Sequence, residues 1–197
     1  MKIAVLGAGN IGGRLAKGWV AAGHDVVVGL RDPQKNDSGV RAATLKSACE
    51  GAEVVVFAVP ATAAYETAKV IGPLPPSVVI IDAMNAVFRK PEPYSKTSEA
   101  IIAGCGSDNV VKCFNWIGAE NLDDPIYNGV AADMLLCGNR PESKAKVKTL
   151  AEVMGFNVFD VGGLDKEGLL EQGAALWGAL AYGAGLGRNI AFKILKK

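Results

Sequence analysis

The chain has 197 residues, of which 50% are hydrophobic, 24 are glycine, and 21 Lys and Arg face 20 Asp and Glu. That length encloses a full core but not two large independent domains, and that apolar content excludes a wholly disordered chain. A net charge of +1 supplies no cationic face for a nucleic-acid backbone.

The first strand, at 2–6, runs into Gly7-Ala8-Gly9-Asn10-Ile11-Gly12 and then a helix at 11–22. Glycine spacing of this kind between a strand and a helix predicts a dinucleotide site. Gly7 makes the tight turn, Gly9 lets a pyrophosphate approach the backbone, and Gly12 lets the helix lie close to the strand. The phosphates would rest on the free N–H groups at the helix start, where the helix dipole favours negative charge.

A second strand, at 25–30, follows the Gly23-His24 turn. His24 is the one histidine, and this turn lies at the sheet end opposite the glycine loop. A Ser-His-Asp or Cys-His mechanism therefore lacks its base. At the strand tip, Leu30 stands where an NAD site carries the acid that binds the ribose 2′-hydroxyl. Arg31 follows, with Lys35 beyond it, and the two cations favour the 2′-phosphate of NADP. Asp32 keeps NAD open, since it lies about twenty residues past the loop.

Further strands are expected at 54–58, 78–82, 110–114, 132–136 and 157–161, alternating with helices at 45–51, 62–71, 97–103 and 142–154, the last started by Pro141. Runs such as Val54-Val55-Val56-Phe57-Ala58 are apolar at every position, as expected for strands covered on both faces. The alternation predicts a doubly wound, mostly parallel α/β sheet. In such a sheet ligands sit beyond the C-terminal strand ends. Those ends carry Ala58-Val59-Pro60, then Asn85, then Asn115-Trp116. Asn85 and Asn115 could orient a carboxamide or a substrate oxygen, with Trp116 as a pocket wall, or they could serve as strand caps.

From Asp165 onward the pattern turns helical, and residues 165–197 are read as an annex to one domain of residues 1–197, packed on the sheet end or on a partner subunit. The annex brings Trp177 and Tyr182 near a second glycine cluster, Gly183 to Gly187, which follows a helix and is not read as a phosphate loop. The four cysteines lack C-x-x-C spacing and read as buried thiols, not as a metal cluster or disulfide framework. No uncharged run reaches the length of about 18 residues that a membrane helix needs. Residues 1–6 do not fit a secretory signal, so a soluble, cytoplasmic protein is expected. Tyr182 is the one obvious proton donor near the second glycine cluster. Ketone reduction needs a delivered proton, whereas hydride passage between a nicotinamide and another redox ring mainly needs alignment and water exclusion. The scarcity of acids and bases favours the latter.

Four segments together carry a family resemblance: Gly7-Ala8-Gly9-Asn10-Ile11-Gly12, Gly23 through Arg31, Lys112-Cys113-Phe114-Asn115-Trp116-Ile117-Gly118-Ala119-Glu120-Asn121, and Tyr182 through Arg188. The chain resembles the coenzyme F420-dependent NADP oxidoreductases, and is similar to the soluble domain of the six-transmembrane metalloreductases. The resemblance implies a Rossmann-type domain with a short C-terminal helical segment and NADP(H) in the glycine loop. A deazaflavin or flavin ring would lie over the nicotinamide. Apart from the resemblance, a homodimer through the apolar tail is expected, since the Rossmann half alone gives no cover to the open crevice. The resemblance further implies that Asn10 and Ile11 touch the pyrophosphate, Arg31 and Lys35 the 2′-phosphate, and Pro60 the nicotinamide side. Leu30 and Asn115 depart from the family pattern, which tends to have a small hydroxyl residue and a histidine at those places. Two other functions are compatible with the residues: reduction of a small C=N or C=O substrate with Tyr182 as acid, and NADP(H) sensing without turnover.

Overall fold

The computed structural model describes residues 1–197. Six strands run parallel: β1 (Lys2–Leu6), β2 (Asp25–Leu30), β3 (Ala42–Thr44), β4 (Val54–Phe57), β5 (Val79–Asp82) and β6 (Val110–Lys112). A separate two-stranded ribbon follows, β7 (Ile126–Tyr127) with β8 (Val130–Ala131). The main sheet then continues with β9 (Asp133–Gly138) and β10 (Asn157–Asp160), giving the spatial order β10-β9-β6-β5-β4-β1-β2-β3.

The helices are α1 (Asn10–Ala21), α2 (Leu45–Cys49), α3 (Ala64–Ile71), α4 (Thr97–Cys105), α5 (Pro141–Glu152) and α6 (Glu167–Gly178). They cover both faces of the sheet. Alternate strand residues explain the unbroken apolar runs. Ile3, Val5, Val54 and Val56 join a cluster of 27 buried residues that includes Trp19 of α1 and Leu150 of α5. Ala4, Leu6, Val55 and Phe57 join another of 21 on the opposite face, with Ala68 of α3 and Ile101 of α4. A strand buried on both sides has no polar face to alternate with. Trp19 Nε1 donates to Leu150 O at 2.9 Å, tying the first helix to the fifth. No helix is long and apolar enough to cross a membrane.

The order 3-2-1-4-5-6 with helices on both faces is the Rossmann-type doubly wound fold expected from the alternation. Three features differ from the sequence reading. The sixth expected strand, at 132–136, forms at Asp133–Gly138 and pairs antiparallel to β6, Val111 opposite Gly138 and Lys112 opposite Cys137. The short β3, β7 and β8 were not anticipated. Finally, the annex is helical only through α6 and a π-turn at Ala179–Gly183. Gly185 and Gly187 then take φ of +71° and +75°, which end the helix, and residues 184–197 form an irregular strap. The strap is held by hydrogen bonds far away in sequence. The Asp133 N–H donates to Phe192 O, Lys193 Nζ reaches Asp133 Oδ1 at 2.7 Å, and Asn121 Nδ2 donates to Arg188 O at 2.9 Å.

Candidate functional site

The turn after β1 is built by exclusion of side chains. Gly7 has φ +99°, and a Cβ there would lie 2.7 Å from Ala58 O. A Cβ on Gly12 would lie 2.0 Å from Gly7 O, so only glycine lets α1 start this close to β1. Gly9 is different, because a Cβ there meets nothing within 4 Å. The space above Gly9 is therefore open to a ligand. Gly9 is also the N-cap of α1 and supplies no capping side chain, and the first turn holds no acidic residue. Its N–H groups are left to an external anion, which fits a pyrophosphate. Asn10 is the first helical residue and is exposed, with Ile11 half-buried behind it.

A crevice of about 840 Å³ runs from this loop across the strand ends. It brings together Gly7, Gly9, Leu30, Arg31, Ala58, Val59 and Pro60, all anticipated from the sequence. Lys46, Thr62 and Glu66 also line it. Lys46 sits in α2 and could not be found from the glycine motif, because the short strand β3 is what brings α2 beside β2. Lys35 does not line the crevice. It is exposed and faces Asp32, with Nζ 3.6 Å from Oδ2, while Asp32 Oδ1 accepts from the Gln34 N–H. Asp32 is thus the cap of the Pro33–Lys35 turn. Arg31 has no carboxylate partner, so the crevice carries two unpaired cations, Arg31 and Lys46, where the sequence reading placed Arg31 and Lys35.

Asn85 and Asn115, also expected at the site, do not line this crevice and form a pair with each other. Asn85 Nδ2 donates to Asn115 O at 2.5 Å, and Asn115 Nδ2 donates to Asn85 Oδ1 at 3.0 Å. Asn115 Oδ1 is buried without a partner. The preceding Phe114 holds φ +64°, uncommon for a residue with a side chain, and its ring meets Trp19 edge-on at 5.6 Å. The reversal after β6 is thereby fixed by core packing.

Under this pair lies a buried charged cluster. Lys112 Nζ contacts Asp82 Oδ2 at 3.1 Å, Thr97 Oγ1 at 3.0 Å and Glu171 Oε1 at 2.7 Å. Burial alone would lower the Lys112 pKa, but Asp82 and Glu171 outweigh it and hold the ammonium above its ordinary value. Asp82 Oδ1 accepts the Met84 N–H, so the cluster sets the loop that leads to Asn85. Nearby Glu167 accepts from Ser98 Oγ at 2.7 Å, and burial raises its carboxyl. A lysine inside an apolar strand gives no periodic signal, so the sequence pattern alone did not reveal this cluster.

Trp116, expected as a pocket wall, and Trp177 and Tyr182 of the annex all pack against the C-terminal strap. Trp116 Nε1 donates to Asp133 O, and its ring stacks near Phe192 at 5.1 Å. Trp177 Nε1 donates to Ile190 O at 2.8 Å and its ring fills the space over Gly118. Tyr182 is 62% exposed and meets Trp177 edge-on, with the Arg188 guanidinium over both rings. These three side chains clamp the strap to the sheet, and none lines the crevice. Cys105, Cys113 and Cys137 are buried thiols as expected, whereas Cys49, at the end of α2, is only half-buried; burial pushes Cys137 up to about 12. His24 lies in the turn between α1 and β2, as read from the sequence.

Residues 2–86 match the family described as NADP oxidoreductase, coenzyme F420-dependent. Metalloreductase STEAP3 of Rattus norvegicus is 26% identical over 167 residues, which cover 83% of this chain. The chain spans only 34% of that protein's length. The F420-dependent NADP reductase of Methanothermobacter marburgensis is 29% identical over 199 residues, covering 87% of this chain and 88% of that one. Among solved structures, a protein of Arthrobacter sp. FB24, provisionally named an F420-dependent NADP-reductase, superposes with a TM-score of 0.83 at 27% identity over the full length of both chains.

Proposed function

We propose that this chain, whose residues 2–86 match the coenzyme F420-dependent NADP oxidoreductase family, transfers hydride between NADP(H) and F420 or a flavin-type acceptor. The observation that carries the reading is the pairing of an open glycine loop with two unpaired cations, Arg31 and Lys46, in one crevice. Bound NADPH supplies the hydride. Gly7, Ala8, Gly9, Asn10, Ile11 and Gly12 seat the pyrophosphate against free N–H groups, and Arg31 with Lys46 takes the 2′-phosphate. Ala58, Val59 and Pro60 form an apolar wall that keeps water from the nicotinamide, and the Asn85–Asn115 pair offers an amide and a bare oxygen to its carboxamide. No acid or base stands among these last five residues. That supports an acceptor ring that takes a hydride directly, with its proton coming from solvent.

Residues 1–197 act as one unit in this reading, with 165–197 as the clamp on the sheet edge. The exposed Leu169 and Leu176 of α6, 60% and 53% accessible, support a homodimer through that helix. Light scattering that returns a monomer would refute the dimer. The main reading is tested by calorimetric titration with NADPH and NADH, then addition of F420, FMN or a ferric chelate to the NADPH complex. Preferred NADPH binding with oxidation by a ring acceptor is the expected result. Binding without turnover on any acceptor would favour a sensor.

A further inference from the structure

Of the six arginines, four are paired: Arg14 with Asp123, Arg41 with Asp25, Arg140 with Asp108 and Arg188 with Glu120. The two without a carboxylate are Arg31 and Arg89. Arg31 lines the nucleotide crevice. Arg89 lines a second hollow of about 680 Å³, together with Thr62, Val87, Phe88, Lys90 and Glu92. Thr62 lines both spaces, so the hollow opens onto the crevice two residues beyond Pro60. The lining loop leaves the end of β5 just after Asn85.

Two features of this hollow ask for a ligand. Arg89 and Lys90 are exposed cations without a partner, and Glu92 is the one carboxylate among the lining residues, so the hollow keeps a net positive charge. Phe88 beside them is 93% exposed, the most exposed of the large apolar side chains. A fully wet aromatic ring next to unpaired cations suits a molecule with an apolar part and an anionic part.

We propose that this hollow holds the anionic arm of the hydride acceptor, with Arg89 and Lys90 on its phosphate or carboxylates and Phe88 against its apolar stem. The inference rests on the oxidoreductase reading for where the acceptor ring lies. It adds the substrate class: a planar redox ring carrying a negatively charged arm, with neutral-armed analogues disfavoured. In turnover NADPH and one proton become NADP⁺ while the ring gains two electrons and two hydrogens.

The test is fluorescence titration of the NADP⁺-loaded protein with FMN, F420 and riboflavin, on wild type and on Arg89→Ala/Lys90→Ala. FMN and F420 carry a phosphate arm, and riboflavin has the FMN ring without it. We expect FMN or F420 to bind about tenfold or more tighter than riboflavin, with the preferred one naming the source. In the double variant that advantage falls to near unity, NADP⁺ affinity stays as in wild type, and Arg89→Lys retains part of it. Equal affinity for the three rings, an advantage that persists in the double variant, or no binding of any ring would overturn the site. NADPH oxidation, followed in parallel, separates the two readings. Arm-dependent binding without oxidation leaves the site standing and sinks the oxidoreductase reading. Oxidation that proceeds equally well with riboflavin, and equally in the double variant, sinks the site alone.

Discussion

Lys112 Nζ lies 3.1 Å from Asp82 Oδ2, and both side chains are fully excluded from water. The pair joins the ends of two neighbouring parallel strands, and Glu171 Oε1 at 2.7 Å extends it to α6. A buried pair is not by itself a large net stabiliser, but removing one partner strands the other. Lys112→Met should therefore lower stability by about 3–5 kcal/mol. Urea denaturation measures it, and Lys112→Met/Asp82→Asn should recover part of the loss. A single Lys112→Met variant as stable as wild type would show that the carboxylates find another cation or a proton at little cost.

The glycine loop separates binding from folding. Gly9→Ala places its methyl in open space, so the protein should keep its wild-type unfolding midpoint yet lose dinucleotide binding, read by calorimetry. Gly12→Ala meets Gly7 O at 2.0 Å and should lose stability as well. If Gly9→Ala binds nucleotide normally, the phosphates do not pass over this loop.

Arg31 has no partner to lose inside the protein. Arg31→Ala should leave the fold untouched and weaken NADPH by about tenfold, with NADH affinity unchanged. Lys46→Ala should act in the same direction. Equal weakening of both nucleotides would move the 2′-phosphate away from these two residues.

Tyr182 is largely exposed, and its ring meets Trp177 edge-on while the Arg188 guanidinium lies over its face. Tyr182→Phe should leave turnover with a ring acceptor unchanged. A collapse of kcat with unaltered NADPH affinity would instead assign it a proton to deliver, and with that the reduction of a C=N or C=O bond.

The strap should loosen in acid. A hydrogen bond from Arg188 is the main reason the Glu120 carboxyl is held at about 2, and Arg188 also caps Trp177 at 5.5 Å. The folded value lies below the unfolded one of about 4.3, so this contribution is complete above that pH and disappears as pH falls through 4 towards 2. Both ends are partly exposed, at 43% and 31%, so solvent screening keeps it small. Tryptophan fluorescence should show an acid transition in wild type that Glu120→Gln lacks.

The nucleotide half was legible because its rules are covalent and local. A glycine that must lack a Cβ at Gly7 and Gly12 announces itself, and so does a strand such as 54–57 with no polar face. What could not be read depends on partners distant in sequence. Nothing inside Met134-Leu135-Leu136 records that β9 runs against β6, since an apolar run buries equally well in either direction. The strap is irregular because Asp133 and Asn121 take its backbone groups, whereas its own residues suggested a helix. Lys112 read as a strand residue until Asp82 and Glu171 supplied its countercharge. Trp116, Trp177 and Tyr182 had the chemistry of a pocket wall, and only the position of the strap shows that they hold it in place.

The reversal of direction between β6 and β9 gives the molecule two independent rims. Arg140, just past β9, donates to Pro76 O and Asp108 Oδ1, both of which precede parallel strands and so lie at the end remote from the glycine loop. Arg140 and its partners are absent from the lining of the glycine-loop crevice. That rim is the natural place to tether the protein to a support or a dye, leaving the crevice facing solution.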